Sequence, residues 1–361
     1  MAIDLPGGPG FVAALRRVWE RGDAGFPVDR RLPDPAQAAL LDAMAPTAVI
    51  DERGESALDG GRPVEPGDAL VVATSGSTGE PKGAVLTHDA VTASAQATNR
   101  CLAVGPDDHW LACLPLAHIG GLSVVTRALV AGTPLTVLDG FDADAVDASE
   151  ATLVSLVATA LARIDATRFR TILLGGAAPP PALPANVVTT YGMTETGSGI
   201  VYDGVPLDGV ELRTDDGGQL HVRAPMLLRA YRDGSVPLDD GWFATGDLGQ
   251  VSGDGRVTVE GRAAEVIITG GEKVWPTAVE SVLAQHPEIA DVAVAGRDDP
   301  EWGQAVTAFV VPVTTTEPPT LASLRGFVRD RLAPWCAPRV LVLVEEIPRT
   351  ALGKPRRSVL P

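Results

Sequence analysis

Apolar positions recur along this chain at two periods, and the order in which the periods alternate predicts the fold. The first 68 residues carry a short helical pattern at Phe11, Leu15, Val18 and Trp19, another near Ala36 to Met44, and turn-rich connectors; no chemistry is expected of them. Beyond them helix and strand alternate. An apolar run from Ala69 to Ala73 leads through a loop to Gly83, and a helix from His88 to Ala103 carries Val91, Ala95 and Leu102. An apolar segment Trp110 to Leu114 follows, then a helix near Gly121 to Val130 and strands Pro134 to Leu138 and Ala151 to Val157. A helix from about Thr159 to Ile164 precedes the strand Thr171 to Leu174, which runs into Gly175-Gly176. Such alternation predicts α/β architecture with mainly parallel pairing, in which ligands gather at the carboxyl ends of the strands.

Between about residues 200 and 261 the texture changes to short alternating runs divided by Asp203-Gly204, Asp208-Gly209, Asp216-Gly217 and Asp254-Gly255, which predict hairpins and a β subdomain. Near Arg262 it changes again. A strand Val266 to Thr269, a helix opened by Pro276, strands Val292 to Ala295 and Val306 to Val311, a helix Leu321 to Leu332 and a strand Val340 to Val344 form a compact α+β unit. The expected division is therefore a large N-terminal α/β domain with a β subdomain, residues 1–262, and a small C-terminal α+β domain, residues 263–361.

Composition narrows the class. At 361 residues the chain exceeds the roughly 250–300 that one core usually supports, in keeping with two domains. A net charge of −17 argues against nucleic acid or an anionic membrane as general partner. No stretch approaches the ~20 apolar residues of a membrane span, and the start at Met1 to Pro6 lacks a cationic signal region, so a cytoplasmic location is expected. Cys101, Cys113 and Cys336 are widely spaced and odd in number, which fits neither a disulfide framework nor a CxxC metal site; reduced core residues are expected. Lysine is nearly absent. Only Lys82, Lys273 and Lys354 occur, each in a Gly-containing segment, and a lysine that persists in such a composition is expected to act as lysine.

The stretch Thr74-Ser-Gly-Ser-Thr-Gly-Glu-Pro-Lys-Gly83 offers backbone N–H groups, hydroxyls and one cation, the inventory that cradles phosphate. It is not a Walker loop, because Glu80 and Pro81 separate Lys82 from Gly79 and Gly83 follows it. Taken alone it is equally a flexible surface turn. Tyr191-Gly-Met-Thr-Glu-Thr196 supplies a ring to stack on a base, hydroxyls for phosphate and a hard oxygen ligand for Mg²⁺, or else a capped turn. Asp247, at a Gly turn, suits vicinal ribose hydroxyls or plain turn chemistry, and Lys354 beside Arg356 and Arg357 reads alone as solvated surface.

Their conjunction is more specific. Thr74 to Gly83, Leu114 to Gly121, Gly175 to Pro179, Tyr191 to Thr196, Thr245-Gly-Asp247, Gly261-Arg262, Thr269 to Pro276 and Pro348 to Lys354 resemble, in order, the motif series of the acyl-adenylating superfamily. Within it the short large domain and the Val154 to Val157 segment look most like the o-succinylbenzoate-CoA ligases of menaquinone biosynthesis, in an abbreviated actinobacterial form. The resemblance implies an enzyme that uses ATP and Mg²⁺ to convert a carboxylic acid to its adenylate and then CoA to displace AMP. It implies that Ser75, Ser77, Thr78 and Lys82 handle the β- and γ-phosphates in a cofactor-binding stretch that includes Thr74, Gly76 and Gly79, with Thr194 at the α-phosphate and Glu195 at the metal. Tyr191 and Gly192 would face adenine beside Gly176 and Ala177, Asp247 and Arg262 would hold ribose, and Lys354 would bridge the attacking carboxylate and the α-phosphate. The small domain would be mobile, turning near Arg262 with Glu265 at a hinge position usually held by Asp, so that Gly270 and Gly271 replace the Lys354 loop when CoA enters. His118 would face the acid pocket and CoA entrance, with Ser155, Thr159 and Thr190 as carboxylate partners by position; a packed core histidine is the competing reading of His118. The resemblance admits a homodimer. A ligase for another aryl or short- to medium-chain acid, and an inactive AMP-binding relative, are the alternatives; the joint presence of Lys82, Glu195, Asp247 and Lys354 counts against the second.

Overall fold

The computed structural model describes residues 1–75, 81–180, 182–349 and 355–361. Its central element is a seven-stranded sheet in the order Val205–Pro206, Ser198–Tyr202, Val187–Met193, Thr171–Leu174, Leu153–Leu156, Trp110–Ala112, Leu135–Val137. The five strands from Val187–Met193 to Leu135–Val137 pair in parallel. Their short apolar runs are buried because helices cover them: Trp110, Leu111, Leu153, Val154 and Ile172 are all fully enclosed. The helices His88–Cys101 and Ile119–Ala131 pack on this sheet and on each other. Thr87 starts the first by accepting the Ala90 N–H on its hydroxyl, and Gly132 in the left-handed region ends the second.

The apolar run before the Gly-rich stretch is one arm of a hairpin. Asp68–Ser75 pairs antiparallel with Pro81–Thr87, so Lys82 and Gly83 lie on a strand where a loop was expected. A Cβ on Gly83 would meet Met44 Sδ at 2.5 Å and Arg232 Cβ and Val71 Cγ1 at 3.0 Å, so a side chain there would displace its neighbours. The first 68 residues, read as helices and connectors, also contain a four-stranded sheet of Phe26–Pro27, Ala2–Ile3, Ala48–Asp51 and Gly54–Ala57. Two of these strands, Ala2–Ile3 and Phe26–Pro27, are only two residues long and carry no periodic signal. The Asp-Gly pairs do mark turns: 203–204 joins Ser198–Tyr202 to Val205–Pro206, 216–217 joins Glu211–Thr214 to Gln219–Arg223, and 254–255 joins Trp242–Val251 to Val257–Arg262.

Beyond Arg262, Ile267–Thr269, Glu272–Val274, Ile289–Asp299, Gly303–Pro312 and Val340–Leu343 form a five-stranded sheet covered by Pro276–Leu283 and Leu321–Arg329. Its apolar residues, among them Val279, Leu283, Val294, Val306, Leu324 and Val328, form a cluster separate from that of the parallel sheet. One core assignment is corrected. Cys113 is buried and Cys336 half-buried, but Cys101 is exposed because it ends the helix His88–Cys101 on its solvent side.

Candidate functional site

Gly76, Ser77, Thr78 and Gly79 lie outside the described residues, as does Lys354. What surrounds them is described. Thr74 and Lys82 face each other across the two paired strands, with Ser75 opposite Pro81. The Lys82 ammonium lies 5.1 Å from the centroid of the Tyr231 ring, within cation–π range. Tyr231 is placed by the strand Ala230–Tyr231, which adds to the hairpin with Tyr231 opposite Ala84. Its hydroxyl donates to Glu195 Oε1 at 3.0 Å. Burial, then the Glu195 charge, push the Tyr231 phenol well above its usual range, so it stays a donor. One tyrosine thus joins the lysine of the hairpin to the carboxylate of the second motif.

Thr194 and Glu195 sit on a single 3₁₀ turn, Thr194–Thr196, directly after the strand Val187–Met193. The turn is pinned by Thr196, whose buried hydroxyl accepts the Met193 N–H at 2.9 Å and lies 2.7 Å from the Ser198 carbonyl. Gly192 is required where the strand meets its neighbour, because a Cβ would approach the Ser198 carbonyl oxygen to 2.1 Å. The Tyr191 hydroxyl donates to Asp247 Oδ2 at 2.8 Å, and Arg262 Nε approaches Asp247 Oδ1 at 3.0 Å from the paired strand, where Asp247 and Arg262 are register partners. Burial, reinforced by the Asp247 charge, raises the Tyr191 phenol far above its ordinary value. Three residues expected to hold a nucleoside are thereby brought into one chain of contacts. Gly176 and Ala177 lie exposed just beyond the carboxyl end of Thr171–Leu174, Gly176 with φ +89°.

In the expected acid pocket, Thr190 Oγ1 donates to the Leu174 carbonyl at 3.2 Å. Thr159 is exposed on the short helix Ala158–Leu161 and bonds no described side chain. Ser155 is buried, and its partner was not foreseen. Arg127, 3% exposed on the helix Ile119–Ala131, donates from Nη1 to Ser155 Oγ at 3.1 Å and from Nη2 to Ser198 Oγ. Its Nε is buried without a partner, and among the described residues no carboxylate lies within ion-pair distance. Burial lowers the affinity of this guanidinium for its proton. The sequence did hold a signal: one arginine inside a helix whose residues Leu122 to Ala128 are otherwise uncharged.

His118 caps that same helix and is not a packed core residue. Its Nε2 lies 2.8 Å from Arg31 Nη2 and 3.4 Å from Asp29 Oδ2. Both partners lie in the first 68 residues, of which no chemistry was expected. Asp29 is held well below the usual carboxylate range, the upward push of burial being outweighed by the Arg31 guanidinium and backbone N–H beside it.

Gly270 and Gly271 form the turn between Ile267–Thr269 and Glu272–Val274, with φ +60° and +85°; a Cβ on Gly270 would strike the Trp302 ring at 2.8 Å. No hydrogen bond or ion pair joins them to the residues around Tyr191 and Asp247 among those described. Glu265, the expected hinge residue, pairs with Arg357 at 2.8 Å.

Residues 51–231 match the AMP-binding enzyme family and residues 278–354 match its C-terminal domain. A probable 2-succinylbenzoate–CoA ligase of Mycobacterium tuberculosis is 42% identical over 359 residues, covering 90% of this chain and 93% of the relative. The chain belongs to the AMP-binding enzyme family. An indoleacetate–CoA ligase of Aromatoleum aromaticum is 35% identical, covering 80% of this chain and 66% of its own. Among solved structures of these AMP-binding enzymes, o-succinylbenzoate-CoA synthetase of Bacillus subtilis with its acyl-adenylate intermediate superposes with a TM-score of 0.86 at 27% identity, covering 99% of this chain and 87% of that one. The same synthetase with ATP and a magnesium ion gives 0.87 at 28%, covering 99% and 88%.

The donor set of this AMP-binding enzyme suits magnesium in one way only. No cluster of three carboxylate, imidazole or thiolate ligands occurs among the described residues, but Glu195 Oε2 has no partner there while Tyr231 occupies Oε1. A single carboxylate that shares the ion with substrate phosphates is a usual magnesium arrangement. Tyr231 and Arg127 touch the expected site residues Glu195 and Ser155 without belonging to the motif series.

Proposed function

We propose that this AMP-binding enzyme is an ATP-dependent acid–CoA ligase whose acid is 2-succinylbenzoate, as the names of its relatives suggest and the Arg127 site supports. That acid has two carboxylates. Whichever one is activated, the other enters the protein as an anion and requires a counter-charge. A buried guanidinium that two serines hold in place, with one N–H unpartnered, supplies it. A monocarboxylic acid would leave Arg127 uncompensated.

In the first half-reaction a carboxylate oxygen attacks the α-phosphorus of ATP and pyrophosphate leaves. Lys82 and the hydroxyls of the Thr74 to Thr78 segment take the β- and γ-phosphates, Thr194 the α-phosphate, and Tyr191, Asp247 and Arg262 the nucleoside. Glu195 holds magnesium, which when bound neutralises phosphate charge. Lys354 bridges the two reacting anions. In the second, the CoA sulfur attacks the acyl carbon, its proton passing to solvent, and AMP leaves, with residues 263–361 turned about Arg262 to Glu265 so that Gly270 and Gly271 face the large unit, residues 1–262. Both steps move negative charge between oxygens, so positioned cations and donors dominate the catalysis.

Pyrophosphate release measured across 2-succinylbenzoate, benzoate, indoleacetate and medium-chain fatty acids tests this. Release is expected with 2-succinylbenzoate at a kcat/KM at least ~10²-fold above the monocarboxylates, the worth of one buried charge pair. Equal use of benzoate would overturn the acid, and silence with every acid would favour an inactive AMP-binding protein.

A further inference from the structure

We propose that Arg31 and Asp29 fix His118 as the neutral Nδ1–H tautomer, so that its imidazole donates through Nδ1 and cannot act as a base at Nε2. Arg31 Nη2 lies 2.8 Å from His118 Nε2. A guanidinium offers donors only, so at that distance Nε2 accepts, and the single ring proton of a neutral histidine is then on Nδ1. Arg31 is itself held. Its Nε and Nη2 donate to Asp29 Oδ1 and Oδ2 at 2.8 and 2.7 Å, and its backbone N–H to Oδ1 at 3.2 Å. Asp29 is 8% exposed, so the carboxylate that orients the guanidinium is fixed in the protein and not a surface side chain free to turn.

The competing arrangement is a protonated His118 paired with Asp29, whose Oδ2 approaches Nε2 to 3.4 Å. It fails on two grounds. It would set an Nε2–H against an Nη2–H across 2.8 Å, and it would place a cation at the N-cap of Ile119–Ala131, where the helix end disfavours positive charge. No described residue accepts from Nδ1, so its proton is left for a ligand. Free histidine in water favours the Nε2–H form, and the clamp therefore reverses an intrinsic preference. If His118 faces the acid and CoA, a role that rests on the function proposed above, its Nδ1–H meets an acyl oxygen as charge develops there. It does not take the thiol proton. Arg31 and Asp29, 87 and 89 residues earlier in the chain, are then positioning residues for that donor.

Nitrogen-15 NMR of the full chain labelled at its five histidines reads the tautomer without substrate. The His118 signals, identified by their loss in His118→Asn, are expected to show Nδ1–H, and Arg31→Met is expected to convert them towards Nε2–H. Nε2–H in the unaltered protein, or no change in Arg31→Met, overturns the proposal. A second arm uses activity. His118→Asn keeps a donor near the Nδ1 position and His118→Gln near Nε2; thioester formation should fall less than ~10-fold in the first and ~10²-fold in the second, as for loss of one aimed donor. The reverse order overturns it as well. Should no acid be turned over, the reaction assignment fails while the tautomer result stands on its own.

Discussion

A buried and a half-buried arginine show how differently one side chain can be used. Arg357, in the C-terminal unit, donates from Nη1 to Glu265 and from Nη2 to both oxygens of Glu280 at 2.8 Å, while its Nε bonds the Val294 carbonyl at 2.9 Å. Arg127, in the large unit, is more deeply enclosed yet meets only two serine hydroxyls and the edge of Trp110's environment, 5.5 Å from the ring centroid. Desolvating a charge costs several kcal/mol unless an opposite charge and hydrogen bonds offset it. Arg357 has that offset within the chain and is explained as scaffold. Arg127 does not, and such a residue makes sense when the missing anion arrives with the substrate.

The largest expected effect breaks or upholds this contrast. Arg127→Met should lower kcat/KM for 2-succinylbenzoate by about 10²–10³-fold, from the ~2–5 kcal/mol lost when a buried charge pair loses one partner. The denaturation midpoint should stay level or rise, because an unpaired buried charge has been removed. A matching fall with a monocarboxylic acid would show that Arg127 shapes the pocket and does not read the second carboxylate.

Arg357→Met should do the opposite. Removing the cation leaves Glu280 buried and Glu265 partly so, and stability of the C-terminal unit should drop by about 3 kcal/mol, the low end for a broken buried pair because Glu265 is 38% exposed at its side chain. Urea unfolding followed by Trp fluorescence measures it. A loss under ~1 kcal/mol, typical of surface pairs, would place Arg357 with the solvated charges and remove the contrast.

A smaller effect is expected at Tyr231. Tyr231→Phe removes the hydroxyl that orients Glu195 and keeps the ring beside Lys82. The Mg²⁺ concentration for half-maximal pyrophosphate release, and retention of Mn²⁺ with a non-hydrolysable ATP analogue, should each weaken about tenfold, the low end for groups that support a metal ligand. Unchanged metal dependence would detach Tyr231 from Glu195.

The same contrast explains what the sequence could show. Continuous apolar runs such as Leu153–Leu156 and Thr171–Leu174, and Asp-Gly turns such as 216–217, are local features, and the strands and hairpins they predict are present. The Tyr191, Asp247 and Arg262 contacts were legible through ordered motifs, although 56 residues separate Tyr191 from Asp247. Asp29 and Arg31 were not legible, because their meaning depends on a histidine 89 and 87 residues away and on two-residue strands without any period. Tyr231 could have been found by the scarcity that singled out the lysines, since the chain has only three tyrosines. Arg127 was visible as a lone charge in an apolar helix, but that its cation lacks an anion is a fact of packing.

The subtlest expected effect concerns the paired side of the comparison. Even beside Arg357, Glu280 has its carboxyl shifted upward from 4.5, because burial outweighs the arginine charge and the Val294 N–H bond. The folded chain therefore binds this proton more tightly than the unfolded one. As pH rises from 4.5 through the raised folded value, the native state keeps a proton that the unfolded chain has already lost, so this group's contribution to stability declines over that interval and is constant above it. Glu280→Gln, which can still accept from Val294 and Arg357, should flatten that part of the profile. Denaturation midpoints of both proteins across the interval decide it: parallel profiles would mean that the Arg357 pairing fully offsets the burial of Glu280, which would sharpen the contrast with Arg127.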